Sequence, residues 1–246
     1  MNESSERYTD ALKIDECESA RYYGESMLTK SEQQKHLESL LQPIGLQPTR
    51  IADIACGGGA SSYHLSALYP SAHYTLLDLN EAAVSLARKS TEHLHATCIV
   101  SDIYSLPLES DTFDLVICWQ TLSWLDEAER ALRELIRICK PGGRIYASSL
   151  FNMRHDVDVY ASVRDHTRAS AAHGLQYTYN TYAVSSVRRW VDGLVADFDV
   201  HEFSIPVDLG YKGKGLGTYT VTLQGGGRLQ ISAGMLLNWG ILELRK

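Results

Sequence analysis

The chain has 246 residues, 44% hydrophobic and 22% charged, with a formal net charge of −7. That size and balance suit one α/β domain with a modest insertion, whose core holds without disulfides or a structural metal. The acidic balance, with no block of like charge, excludes a general nucleic-acid binder, which needs Lys and Arg to neutralise phosphates.

Five cysteines (Cys17, Cys56, Cys98, Cys118 and Cys139) are odd in number and form no Cys-x-x-Cys. Neither a disulfide framework nor a zinc site is expected, and apolar free cysteines fit a reducing compartment. His93 and His95 have no further ligands at a useful spacing, so no metal is expected. The opening MNESSERYTD has no apolar signal region and no run approaches a membrane span. The expected location is therefore the cytoplasm.

Residues 1–45 read as a polar leader holding Tyr8, Tyr22 and Tyr23, followed by a helix over Ser31–Leu41. Ser31 is its N-cap, and Leu37, Leu40 and Leu41 share a face. Aromatics in a hydrophilic leader suggest a lid that folds back onto the rest. A strand–helix alternation then runs from residue 46 to 149. Arg50–Ala55 is a strand, Cys56–Ala60 a glycine turn and Ser61–Leu68 a helix. His73–Asp78 is a strand, Glu81–Lys89 a helix, and Thr97–Val100 and Phe113–Cys118 are strands. Glu127–Cys139 is an amphipathic helix stopped by Lys140-Pro141-Gly142-Gly143, and Arg144–Ser149 is the fifth strand. Such alternation implies a doubly wound parallel sheet with right-handed crossovers.

The periodicity changes at 150–184, which reads as a cap insertion rich in His, Arg and Tyr. In the remainder, 185–246, a helix is expected over Ser185–Val195 and a strand over Val200–Ile205. A hairpin spans 218–232 across Gly225-Gly226-Gly227, and Asn238–Leu244 is a final strand.

In doubly wound sheets ligands bind beyond the carboxyl ends of the strands. The turn there reads Asp53-Ile54-Ala55-Cys56-Gly57-Gly58-Gly59, where glycines allow a tight turn and close approach of a ligand to the main chain. A glycine-rich turn alone is a weak sign. Asp78, 21 residues after Gly57, ends the second strand, where an acid can accept from ribose hydroxyls; the lesser alternative is a cap for the next helix, since Glu81 follows.

This set resembles the class I S-adenosylmethionine-dependent methyltransferase family. The likeness rests on Asp53–Gly59, Asp78, Ser101-Asp102-Ile103, Phe113-Asp114-Leu115-Val116 and Cys139-Lys140-Pro141-Gly142-Gly143, in register over residues 45–150. It implies a Rossmann-like, doubly wound, seven-stranded sheet with helices on both faces, the cap and the hairpin lying over the site. It also implies that Ala55, Cys56, Gly57 and Gly59 border the methionine part of the cofactor, with Asp53 anchoring its ammonium. Asp78 would hold the ribose, Leu79 the adenine face, Asp102 and Ile103 the adenine edge, and Cys118 and Trp119 the sulfonium end. Ala55 departs from the family, which usually has Gly there; as the smallest alternative it is expected to fit with a negative φ.

The same resemblance implies transfer of a methyl group to an O or N atom of a small molecule. The C-terminal segments resemble methyltransferases acting on surface-polysaccharide sugars, so a sugar or secondary metabolite is the expected acceptor. Tyr22, Tyr23, Gln120, Trp124, Tyr177 and Tyr179 are the candidate acceptor contacts, and His155, just after the fifth strand, is the candidate general base. Neither a nucleic acid nor a membrane is an expected partner; a homodimer is compatible with the pattern. The alternatives are a nicotinamide oxidoreductase and a non-catalytic module of the same fold. Against the first, Ser62 stands where Gly-x-Gly-x-x-Gly needs its last glycine. Against the second, a binding module has no need for Asp53, Asp78 and Asp102 together. Cys118-Trp119-Gln120-Thr121 lacks the Asn/Asp-Pro-Pro-aromatic pattern of enzymes that methylate exocyclic amines of nucleic acids.

Overall fold

The computed structural model describes residues 24, 26–165, 175–203, 205–210, 218–232, 235–236 and 238–246. Tyr22 and Tyr23 lie outside them. The helices are α1 (Glu32–Leu41), α2 (Ala60–Leu65), α3 (Glu81–Ser90), α4 (Ala128–Ile138) and α5 (Val184–Val191). Strands β1 (Arg50–Ile54), β2 (His73–Asp78), β3 (Ala96–Val100), β4 (Phe113–Trp119) and β5 (Cys139–Asn152) form the parallel part of the main sheet. The cap contributes β6 (Ser162–Asp165), β7 (Leu175–Thr178) and β8 (Tyr182–Ala183), and β9 (Asp197–Phe203) follows α5. Last come β10 (Thr218–Thr222), β11 (Arg228–Ser232), β12 (Met235–Leu236) and β13 (Asn238–Arg245).

The main sheet runs β3-β2-β1-β4-β5-β13-β9, with short β8 added beside β5. β13 is antiparallel to both β5 and β9, the single reversal in an otherwise parallel path. The side-chain period of two divides the core between the faces. Ala52, Ile54, Val116, Ile145 and Leu242 pack against Leu132 and Leu135 of α4 and Val187 of α5. Their neighbours Ile51, Leu115, Ile117, Tyr146 and Ile241 pack on the other face against Leu37 and Leu41 of α1 and Leu65 of α2.

Local chemistry fixes the ends. Ser31 and Gln34 form a reciprocal capping box at the start of α1, at 3.2 and 3.0 Å, a device worth about 1 kcal/mol. Asp114 accepts from the Thr49 and Arg50 amides and from Lys140 Nζ, all within 2.9 Å, and so ties β1, β4 and β5 together. Burial opposes these bonds, yet they hold its pKa down at about 2. The Phe113-Asp114 and Lys140 motifs thus act as staples of the sheet. A Cβ on Gly143 would lie 2.7 Å from Cys139 Sγ and 3.0 Å from the Phe113 carbonyl oxygen, so only glycine fits that crossing.

Several expected boundaries move. β5 continues three residues beyond Ser149, because β13 pairs with it as far as Phe151 and β8 pairs at Phe151 and Asn152. The expected strand at Val200–Ile205 begins earlier, at Asp197, where Arg245 of β13 supplies its partner. Both shifts come from pairing with the far C-terminal strand, which local pattern does not reveal. The cap is a β6–β7 hairpin pinned to the turn after β4. Asn180, buried there, donates to the Leu125 carbonyl at 3.0 Å, and its own amide meets the Ser123 carbonyl at 2.7 Å. The Tyr182 hydroxyl donates to the same Leu125 carbonyl at 2.8 Å. The hairpin expected over 218–232 is present as antiparallel β10–β11.

Candidate functional site

β1 delivers Asp53 and Ile54 to the sheet edge, and the chain then reverses through three left-handed residues: Ala55 (φ 57), Gly57 (φ 53) and Gly59 (φ 84). The negative φ expected for Ala55 is not what the turn adopts. The Cys56 amide must return to the Leu77 carbonyl of β2, at 2.9 Å, and an alanine accepts the geometry that glycine holds more easily. At Gly59 a Cβ would meet Ser90 Oγ at 3.0 Å and the Ala87 Cα at 3.3 Å, so the absent side chain lets α3 pack onto the turn.

Asp53 is buried at the start of α2. One of its carboxylate oxygens accepts from the Ser62 amide at 3.2 Å and the Ser62 hydroxyl at 2.7 Å. The other is buried with no hydrogen-bond partner among the described residues. Burial raises its pKa to about 6 against the lowering effect of Ser62. An orphaned buried carboxylate oxygen is costly unless a donor or cation reaches it.

Asp78 ends β2. Its Oδ2 accepts the Gly57 amide at 2.8 Å and its Oδ1 the Asn80 amide at 2.9 Å. Each carboxylate oxygen has room for a second donor, so two neighbouring hydroxyls can be met at once. Capping of α3 falls to Asn80, whose Oδ1 accepts from the Ala82 amide at 2.8 Å. The capping role that competed for Asp78 in the sequence is therefore taken by its neighbour. Asp102 follows β3 and accepts the Tyr104 amide at 3.0 Å.

Asp78 and Asp102 stand in the wall of a cleft with about 950 Å³ of open space. Its sheet-side wall includes Ala55, Asp78, Leu79, Asp102 and Ile103; its cap-side wall includes Thr121, Trp124, Asp126, Ser162 and Tyr177. The two sides meet at Tyr104, whose hydroxyl donates to Asp126 at 2.6 Å. Arg137 and Glu134 of α4 fasten the intervening loop, Arg137 donating to the Leu106 and Leu108 carbonyls and Glu134 accepting the Leu106 amide.

Of the residues expected at the cofactor, Ala55, Asp78, Leu79, Asp102 and Ile103 line the cleft. Asp53, Cys56, Gly57 and Gly59 form the turn behind it. Cys118 is buried in the sheet, its thiol pushed up to about 12 by burial. Trp119 is not in the cleft wall; it packs beside the α1 face of the core, with its indole Nε1 buried and unpartnered among the described residues. Of the acceptor candidates, Trp124 and Tyr177 wall the cleft, while Tyr179 is buried behind Trp124. Gln120, at φ 54, points its side chain to Gln33 of α1. His155 is exposed in the turn after β5, its amide donating to Asn152 Oδ1 at 3.1 Å, and is not in the wall. The longer β5 carries it past the rim.

Sequence reading missed Tyr104, Leu106, Leu125, Asp126, Ser162 and Thr178. For Asp126 a signal existed: it directly precedes an amphipathic helix after a strand end. Ser162 and Thr178 gave none, because only the cap's pairing brings them over the sheet. Among the described residues no group of three His, Cys, Asp or Glu is placed to hold a metal, and no helix is long and apolar enough to cross a membrane.

A seven-strand path with one antiparallel insertion, with Asp78 and Asp102 at two neighbouring strand ends in the cleft wall and Asp53 buried in the turn behind them, suits a nucleoside cofactor. Residues 52–147 match the family described as "Methyltransferase domain". The chain is 33% identical over 154 residues to a malonyl-[acyl-carrier protein] O-methyltransferase of Geobacter sulfurreducens, covering 61% of this chain and 56% of that one. It is 34% identical over 108 residues to a phthiotriol/phenolphthiotriol dimycocerosates methyltransferase of Mycobacterium leprae, covering 44% and 40%. The match thus spans about half the length of these relatives. A SAM-dependent methyltransferase structure from Methanosarcina mazei superimposes with a TM-score of 0.55 over 84% of this chain and 96% of that one, at 16% identity. Residues 52–147 thus form a methyltransferase domain, in a fold shared with SAM-dependent methyltransferases.

Proposed function

We propose that the protein transfers a methyl group from S-adenosylmethionine to an O or N atom of a small acceptor, with a sugar or secondary metabolite the expected class. The observation that carries this reading is the trio of acids, above all the buried Asp53 oxygen with no partner among the described residues. That oxygen suits the ammonium of an amino-acid moiety. Asp78, with one free acceptor position on each oxygen, suits a ribose diol, and Asp102 with Ile103 suits the adenine edge.

The bound cofactor supplies an electrophilic methyl group on a sulfonium with a neutral leaving group. The protein's share of the work is alignment and exclusion of water. The cap, pinned by Asn180 and Tyr182, closes one side of the cleft and sets Trp124 in its wall. On the other side α1 is held to the rim by Gln33 and Gln120, and the segment before it by His64, whose Nε2 is 3.0 Å from the Ser26 carbonyl oxygen.

The oxidoreductase reading meets an electrostatic objection. A pyrophosphate needs free amides at the start of α2. There the Ser62 amide is already taken by the Asp53 carboxylate, and an anion would face that charge. Calorimetry with S-adenosylmethionine, S-adenosylhomocysteine and NAD tests the proposal. Micromolar binding of the first two without NAD is expected; binding of NAD alone overturns it.

A further inference from the structure

The cap-side wall is chemically distinct from the sheet-side wall. Trp124 is fixed there by its backbone: its amide donates to the Thr121 carbonyl at 2.9 Å, and its carbonyl accepts from Thr178 Oγ1 at 3.2 Å. Tyr179 meets its ring edge-on, with centroids 4.8 Å apart, and Tyr177 extends the surface at 5.4 Å and 40°. The result is a rigid aromatic surface with little rotamer freedom left to lose on binding. Beside it stands the exposed carboxylate of Asp126, oriented by the Tyr104 hydroxyl at 2.6 Å. Burial, with Asp126 alongside, pushes the Tyr104 phenol far above its ordinary value, so it stays a donor and Asp126 the acceptor.

The charge of the cleft runs one way. Asp78, Asp102 and Asp126 all stand in its walls, and among the described wall residues there is no Lys, Arg or His. A low-dielectric cleft lined by one sign of charge attracts the opposite sign and repels its own. Aromatic faces add to this, because their negative faces favour a cation over an anion.

Building on the methyltransferase reading above, we infer that the acceptor is a flat, ring-bearing molecule of neutral or positive charge, its ring on the Trp124–Tyr177 surface and its donor or cationic end toward Asp126. Carboxylate and phosphate-bearing acceptors are rejected. Asp126 is here a specificity-determining residue for the acceptor.

The test uses one ring with three charges: tyramine, 4-hydroxyphenethyl alcohol and 4-hydroxyphenylacetate. Each is titrated by calorimetry and ligand-observed NMR into the full-length protein saturated with S-adenosylhomocysteine. Tyramine and the alcohol are expected to bind at least tenfold more tightly than the carboxylate. Asp126→Asn is expected to reduce the preference for tyramine over the alcohol severalfold while leaving S-adenosylhomocysteine affinity unchanged. Trp124→Ala is expected to weaken all three together; should it not fold, Trp124→Phe is expected to retain the order. Equal or tighter binding of the carboxylate, binding of none of the three, or an unchanged tyramine preference in Asp126→Asn overturns the inference while the methyltransferase reading stands. Failure of S-adenosylhomocysteine itself to bind overturns that reading and this inference with it.

Discussion

The Asp78 carboxylate accepts the Gly57 amide at 2.8 Å, so the side chain that walls the cleft also holds the glycine turn in place. The two duties can be separated. Asp78→Asn keeps an acceptor oxygen for one backbone amide but loses the charge and one acceptor position. Asp78→Ala leaves the Gly57 and Asn80 amides without their partner, at a cost of about 1–3 kcal/mol. Both variants are expected to weaken S-adenosylhomocysteine at least tenfold by calorimetry, and the alanine, which loses both amide contacts where the asparagine loses one, to lower the melting temperature more. Unchanged affinity in both would reduce Asp78 to a clamp for the turn.

As the proposed anchor of the cofactor ammonium, Asp53 is expected to make cofactor affinity depend on pH. Burial raises its pKa from the ordinary 3.8 to about 6, so the unliganded fold keeps it protonated only below about that pH. Its contribution to stability is full below pH 3.8 and is lost as pH rises through about 6. A bound ammonium needs the ionised form, so binding releases a proton in acid solution. Affinity is expected to be about tenfold lower at pH 5 than at pH 7, with proton release visible as a buffer-dependent enthalpy. Asp53→Asn should bind more weakly at pH 7 and lose the dependence between pH 5 and 7. A flat wild-type profile would place the ammonium elsewhere.

What the sequence made legible follows the range over which its signals act. β1 to β4, and the acids at the ends of β1 to β3, were readable because each strand is an apolar run closed by its own turn, and the end of a parallel strand lies at the ligand edge. Trp119 and Trp124 show where this fails. Trp119 ends β4 and Trp124 lies five residues on, and only tertiary packing sets Trp119 beside α1 and Trp124 in the cleft wall. Likewise His155 lies close to the rim in sequence, yet pairing with β13 lengthens β5 and carries it out to solvent. The Tyr104–Asp126 bond joins residues 22 positions apart across two loops, which no periodicity encodes.

Ala55 stores strain that its substitution should release. At φ 57 an L-residue with a Cβ is disfavoured by about 1–2 kcal/mol, whereas glycine is at ease. Glycine also enlarges the unfolded ensemble, offsetting about 0.4–1 kcal/mol of that gain. Ala55→Gly is therefore expected to raise stability by about 0.5–1 kcal/mol in urea unfolding and to keep cofactor affinity. A loss of stability would show that the Ala55 methyl, half-buried in the cleft wall, contributes more by packing than its backbone costs.

Gly59 should respond in the opposite direction, although it lies in the same turn. It has φ 84, and a Cβ there would press on Ser90 Oγ at 3.0 Å, Leu76 Cδ2 at 3.2 Å and the Ala87 Cα at 3.3 Å. The serine hydroxyl is itself committed to the Gly58 carbonyl at 2.6 Å, so it cannot swing aside without giving up that bond. The Ala87 Cα belongs to the α3 backbone and can give way only if the helix shifts. Gly59→Ala thus combines left-handed strain with overpacking, and a loss of about 2–4 kcal/mol is expected. Because α3 starts just after Asp78 and Asn80, its displacement should also carry Asp78 off the cleft wall. Unfolding and S-adenosylhomocysteine titrations are therefore expected to report a destabilised protein that binds at least tenfold more weakly. A variant as stable and as tight-binding as the wild type would mean that α3 does not rest on this turn in solution.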